Sequence, residues 1–547
     1  MAYQTAANQI IKDSIKSAIF IDENALPFYG VESESTIYEE QLSKELFNNF
    51  RDNGISLAVH KFEIGNEIQL GLKQYLFDNR DLVLLDWKLD GEQGEDYSLK
   101  LLSDVVKKSN IHFCVIYTSE PDINSIYGSI LSFFSGRDRA FYEKLKEEFE
   151  ADENELREIL ANYNLFNTNS NGRLVGALDK IEKGYLNKII EFAGISQGME
   201  ALKHLKLAFD NYPKSDIPQI EPEYDLLSRE QNTLVINNTI ISIVNKNKRG
   251  GVVSDANSII SRFSSQISES KNSFTQLLGF EMQSVFTNQS SFIDSNLLKV
   301  SKDALLKHRK ALLEKEGSDI SFKTLIKNVL IEQASMSLRT ANLSLLNNEL
   351  LDVLTQNNSG TPSSDSLMAM NVFYNSAKLN GKTNGTNLNV NFGDVFINNN
   401  EYYLCVTALC DCLRPDKIKS NYFFVKGKPI PSEIALRLGD SAFISFVTEE
   451  TVVSWVLTDD EAGTLHQYKP VYIKPLTYNI KSPEIIEGEI EIRRIVTKKV
   501  DLEKDEGEFD WQTVKYITTL RPNYAQRIAN HAFTHPVRVG VDFVTIN

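Results

Sequence analysis

The sequence predicts a multidomain protein: an N-terminal α/β unit on a parallel sheet carrying a helical insertion, a helical middle region, and a C-terminal antiparallel β domain. Three observations predict it. Four short apolar runs alternate with helix-length amphipathic segments before residue 125. Helical periodicity dominates from about 134 to 360. Beyond a polar stretch at 357–366, β-rich runs are separated by Gly, Asn and Pro turns.

The four runs lie at 18–21, 55–59, 82–85 and 113–117. Near-continuous apolar strands of this length suit a parallel sheet buried on both faces. Helices are expected at 140–150, 174–192, 255–269, 302–316 and 322–356. One β signal interrupts them: Leu234-Val235-Ile236 and Ile240 to Val244 flank Asn237-Asn238-Thr239, a short hairpin or two edge strands. The expected domains are therefore 1–250, with the insertion at about 126–230, then a helical domain at 251–356, a linker at 357–366 and a β domain at 367–547. Strands of that last domain are expected at 387–396, 402–407, 442–447, 451–458, 490–496 and 538–543, with a helix near 522–531.

The 547 residues carry 58 Lys and Arg against 74 Asp and Glu, a formal charge of −16. Phosphate-backbone binding needs cationic side chains, so direct nucleic-acid binding is disfavoured. Four cysteines are too few for a disulfide scaffold of this size. No run of about 18 apolar residues and no signal-peptide core is present, so a cytoplasmic protein with no membrane span is expected.

The chemistry-bearing residues fall at the carboxyl ends of the predicted strands. The first run leads into Asp22-Glu23, the third into Asp86-Trp87-Lys88, and the fourth into Thr118-Ser119. In an open parallel sheet, ligands collect at that edge. Three converging carboxylates need a cation, and hard oxygen ligands with room for water suit Mg²⁺. A hydroxyl one strand away can hydrogen-bond an added phosphoryl group, and a lysine would complete the site.

This set resembles the receiver domain of two-component response regulators, which has a flavodoxin-like fold. The resemblance implies that Asp22 and Glu23 bind Mg²⁺, that Asp86 accepts phosphate, and that Lys88 lends its backbone carbonyl to the metal. It makes Thr118 the switch hydroxyl and Lys246 the phosphoryl-contacting lysine after the fifth strand. Lys246 lies 128 residues beyond Thr118, which requires the large insertion, and Ile243 stands where an aromatic usually precedes that lysine. The whole architecture is similar to long, atypical bacterial receiver proteins, often encoded beside histidine-kinase-like GHKL ATPases, sometimes in antiphage defence loci. It implies a regulatory rather than catalytic protein with a protein partner of that kind.

Two other readings compete. A non-switching scaffold could retain a degenerate receiver. Alternatively, Asp86-Trp87-Lys88 satisfies the D-x-K half of a restriction-type, Mg²⁺-dependent nuclease site, with the Lys88 amine in the pocket. In the C-terminal half, Cys405, Cys410 and Cys412 fit no zinc-knuckle spacing, and buried thiols usually pack as small hydrophobes. On a strand, Cys410 and Cys412 would share one face and Cys405 the other. His531 and His535 have helical i, i+4 spacing, but Pro536 follows. No G-x-S-x-G, P-loop or H-E-x-x-H motif is present.

Overall fold

A computed structural model describes residues 2–25, 38–63, 70–89, 94–161, 172–195, 198–210, 226–229, 233–245, 255–269, 273–289, 291–316, 320–358, 360–379, 388–438, 443–456, 473–495 and 511–533. The chain forms two compact units, one of residues 1–290 and 337–355, the other of 291–336 and 356–547.

In the first unit, helix α1 (Ala2–Ser14) precedes β1 (Ser17–Asp22), α2 (Tyr38–Asp52), β2 (Ser56–Lys61), α3 (Leu70–Phe77), β3 (Leu82–Asp86), α4 (Gly94–Val106) and β4 (Phe113–Thr118). The insertion follows as α5 (Ile123–Phe133), α6 (Arg139–Glu148), α7 (Glu153–Ala161), α8 (Gly172–Leu178), α9 (Tyr185–Ala193) and α10 (Gly198–Phe209). Then come β5 (Leu226–Arg229), β6 (Thr233–Ile236), β7 (Thr239–Asn245), α11 (Ala256–Ser268) and α12 (Ser273–Gln289). The sheet order is β2-β1-β3-β4-β7-β6-β5. The first five strands are parallel, while β6 and β5 add antiparallel to the edge of β7.

Strand alternation explains why the central strands are apolar throughout. Ile19, Ile21, Val83, Leu85, Cys114 and Ile116 face a core completed by α3, α4 and the insertion helices. Ala18, Phe20, Leu82, Leu84, Phe113 and Val115 face a second core, with α1, α2, α11 and α12. The expected hairpin at 234–244 is present. Asn237 takes a left-handed conformation (φ 53°) in its turn, and its side-chain amide donates to the carbonyl of Val106 at 2.9 Å.

Several expectations need correction. The helix expected at 174–192 is two, α8 and α9, because Gly184 breaks the run with φ 82°. The helical segment 251–356 is not one body. Its α11 and α12, with Leu345, complete the second core of the first unit, whereas α13 (Lys302–Glu316) and α14 (Ile320–Met336) belong to the second unit. The run expected at 322–356 breaks into α14, two 3₁₀ turns and α15 (Asn348–Asn357).

The second unit contains β8 (Ser376–Ala377), β9 (Leu388–Asn389), β10 (Asp394–Asn398), β11 (Glu401–Cys405), β12 (Asn421–Ile430), β13 (Ile444–Thr448), β14 (Thr451–Ser454), β15 (Leu476–Ile480), β16 (Glu484–Ile485), β17 (Glu489–Arg494) and β18 (Gln512–Leu520). Six of these close an antiparallel barrel, β11-β10-β18-β17-β15-β12, through pairing of β12 with β11. Its interior is aromatic, with Phe396, Tyr403, Phe424, Tyr478 and Tyr516 in one cluster. Helices α16 (Ser364–Asn375), α17 (Leu409–Cys412), α18 (Ser432–Leu438) and α19 (Pro522–Ala532) complete the unit.

The sequence pattern predicts no strand at β12, β15 or β18. β12 carries Gly427 and Pro429, which read as breakers. In the fold, a Cβ on Gly427 would lie 2.4 Å from Val453 and 2.6 Å from Trp455, so only glycine admits that packing. Cys410 and Cys412 sit on the short helix α17, not a strand, and Cys412 joins Cys405 in the barrel core. A hydrogen bond to Cys405 and burial push the Cys412 thiol up, and all four cysteines are free. Lys246, His535 and the strand expected at 538–543 lie outside the described residues.

Candidate functional site

Parallel register brings the carboxyl ends of β1, β3 and β4 side by side, because β3 pairs with both β1 and β4. Asp22, Asp86 and Thr118 are the last residues of these strands, and all three are buried. One carboxylate oxygen from each of Asp22, Glu23 and Asp86 lies within 4.8 Å of the other two. Among the described residues this is the one cluster with three potential metal ligands.

Backbone bonds fix these acids. The Asp22 carboxylate accepts the Asn24 N–H at 2.8 Å, and its carbonyl accepts the N–H of Phe62 at 3.0 Å. The Asp86 carboxylate accepts the Trp87 N–H at 2.8 Å. That same N–H also reaches the carbonyl of Tyr117 on β4 at 2.9 Å. Trp87 is buried in the core of the first unit, anchoring the loop that leaves β3.

The electrostatics of the cluster suit a cation. Burial first, then the charges of Asp86 and Asp22, push the Glu23 carboxyl up to about 8. Glu23 Oε2 is buried with no hydrogen-bond partner. An orphaned carboxylate oxygen aimed among acids is costly unless charge is supplied. The three-acid oxygen donor set therefore fits a hard divalent cation.

Thr118 lies one strand away from Asp86, and its Oγ1 accepts the N–H of Glu120 at 3.0 Å. The Lys88 ammonium forms an ion pair with the Glu120 carboxylate. Asn245, at the end of β7 and paired in register with Thr118, donates its side-chain amide to the Glu120 carbonyl at 2.9 Å. Thus the structure brings Asp22, Glu23, Asp86, Lys88 and Thr118 to one edge. Lys246 follows the last described residue of β7.

Sequence reasoning missed Glu120, Asn245, Ser98 and Gly94. Ser98 on α4 donates to the Asp86 carbonyl at 2.8 Å. A Cβ on Gly94 would lie 2.4 Å from the Leu89 carbonyl oxygen, so glycine lets α4 start directly over the loop. Glu120 and Asn245 meet neighbours brought close by the sheet, whereas Gly94 and Ser98 meet the strand end and loop just before α4.

Residues 14–164 match the family model of the response receiver domain. No curated protein and no solved structure shows significant similarity to the chain. This match supports a response-regulator-like signalling role. The match ends within the insertion, before β7 adds the fifth parallel strand. No helix of the described residues is long and apolar enough to cross a membrane.

Proposed function

We propose that the protein is a phosphorylation-controlled regulator whose receiver unit takes a phosphoryl group on Asp86 and thereby controls binding to a protein partner. The observation that carries this reading is the convergence of Asp22, Glu23 and Asp86 within 4.8 Å beside a buried strand-end hydroxyl, Thr118. An Asp86 carboxylate oxygen attacks the phosphorus of a phosphodonor, and the bond from phosphorus to the donor's leaving group breaks. Asp22, Glu23, Asp86 and the Lys88 carbonyl would hold Mg²⁺, which supplies charge neutralisation for an anionic donor meeting anionic acids. The Thr118 hydroxyl hydrogen-bonds the new phosphoryl, exchanging its contact with the Glu120 N–H. Lys246 would offer a further cation there.

We assign the protein partner to the histidine-kinase-like GHKL ATPase class, within an antiphage defence system, on the architectural resemblance. The nuclease reading needs the Lys88 ammonium at a hydrolytic water, and here that ammonium is held by Glu120.

The test is intact mass after incubation with Mg²⁺ and a small acyl phosphate. A single phosphoryl adduct is expected on the wild type and none on Asp86→Asn. An equal adduct on Asp86→Asn would sink the assignment.

A further inference from the structure

Glu120 is one point at which the strand-end site meets the start of the helical insertion. Its N–H donates to Thr118, its carboxylate holds Lys88, and its carbonyl accepts from Asn245. Two residues later Asp122 N-caps α5, accepting the N–H groups of Asn124 and Ser125 at 3.0 and 3.4 Å. Just beyond the other end of α5, Ser135 accepts a hydrogen bond from the Tyr142 hydroxyl of α6 at 3.0 Å. That hydroxyl also bonds His204 Nδ1 of α10 at 2.9 Å, and Glu200 lies 3.6 Å from His204 Nε2. His204 and Tyr142 are buried, so this chain of contacts ties α5, α6 and α10 together inside the protein.

The opposite face of the sheet is held differently. Arg262 of α11 donates to the Ser242 hydroxyl at 2.7 Å and to the Ile243 carbonyl at 3.0 Å, clamping α11 onto β7. α1 is fastened to α11 and α12 by Gln4 to Ser264, Asn8 to Ser261 and Tyr3 to Ser273. The outer edge of β7 is covered by β6.

We infer that the helical insertion, not the α1–α11–α12 face, is the element that responds to the state of Asp86, and that the Lys88–Glu120 ion pair is its latch. This rests on the phosphoacceptor reading of Asp86. A phosphoryl group there adds roughly two negative charges, by analogy with other phospho-residues, two positions from Lys88. The ion pair is partly exposed and so weakly held, and the phosphoryl outcompetes Glu120 for the ammonium. Thr118 turns from the Glu120 N–H to the phosphoryl oxygen at the same time. Glu120 loses two of its three contacts, the cap segment before α5 is released, and the Ser135–Tyr142–His204 contacts carry the shift into α6 and α10.

The experiment is hydrogen exchange by mass spectrometry on the full chain, with and without the acyl phosphate and Mg²⁺, alongside intact mass. A wild-type adduct should come with several-fold faster exchange in peptides covering 119–134 and 198–210, while 256–268 stays unchanged. Tyr142→Phe should take up the phosphoryl equally, respond at 119–134 and lose the response at 198–210. Glu120→Gln should show the faster exchange at 119–134 without phosphodonor. An adduct accompanied by change in 256–268 alone, or by no change, overturns the inference while leaving the phosphoacceptor reading intact. Absence of any adduct on folded wild type overturns both.

Discussion

Ser98, twelve residues beyond Asp86 in the chain, donates its hydroxyl to the Asp86 backbone carbonyl at 2.8 Å, and the contact is fully buried. It couples the first turns of α4 to the strand end that carries the central carboxylate. Ser98→Ala leaves that carbonyl without this donor, and a lost buried hydrogen bond costs about 1 kcal/mol. The expected result is a lowered denaturation midpoint together with weaker Mg²⁺ binding by calorimetry. Weakened stability with unchanged Mg²⁺ affinity would place Ser98 in the scaffold alone.

Gly94 makes the same loop possible. Its substitution by alanine places a Cβ 2.4 Å from the Leu89 carbonyl oxygen, both atoms on backbone that cannot rotate away. Overpacking of this kind costs about 1–3 kcal/mol. Gly94→Ala should lower the denaturant midpoint accordingly and reduce phosphoryl uptake. An unchanged midpoint would mean that the loop at 88–89 yields freely.

Glu23 makes stability depend on pH in a defined direction. Its folded value is raised to about 8, above the ordinary carboxylate range, so it binds a proton more readily folded than unfolded. The corresponding stability is fully present below about pH 4.3 and is lost as pH rises through about 8. In chelator, the Tm difference between wild type and Glu23→Gln should therefore move in favour of the variant between pH 5 and pH 8. Mg²⁺ should raise the wild-type Tm most at the upper end of that window. A pH-independent difference would contradict the crowding of Glu23 by Asp86 and Asp22.

Lys88→Ala separates two chemistries. The Lys88–Glu120 pair is partly exposed, so its loss should cost less than about 1 kcal/mol in a thermal melt. Phosphoryl uptake on Asp86 should persist, because the metal needs only the backbone carbonyl at this position and the ammonium engages the phosphoryl only after transfer. Loss of the adduct in a folded variant would show that the amine itself is needed, and DNA cleavage abolished by this change would favour the nuclease reading.

In the barrel, Gly427→Ala should destabilise the second unit by about 1–3 kcal/mol, because Val453 and Trp455 occupy the space of the new methyl. Calorimetry of the full chain should show one transition lowered and the transition containing the receiver sheet unmoved. A shift of both would mean that the two units unfold together.

Local pattern decided much about this protein. The apolar runs around Ile19, Leu84 and Val115 specify strands wherever the chain goes, because nothing but a doubly covered sheet buries them. Since strand polarity is common to all of them, the acids at positions 22, 23 and 86 and the hydroxyl at 118 had to share one edge. Asn237 likewise announced its turn. Tertiary structure decided what depends on distance across the chain. Glu120 matters because parallel pairing of β3 with β4 sets it opposite Lys88. Asn245 reaches Glu120 only because β7 crosses the insertion to lie beside β4. α11 and α12 belong to the first unit because that sheet had a second apolar face to cover, and β12 forms despite Gly427 and Pro429 because barrel closure demands a strand between β11 and β15. Periodicity records which side of an element is apolar; it does not record what will be packed against it, and that is settled only when burial of the whole surface is minimised together.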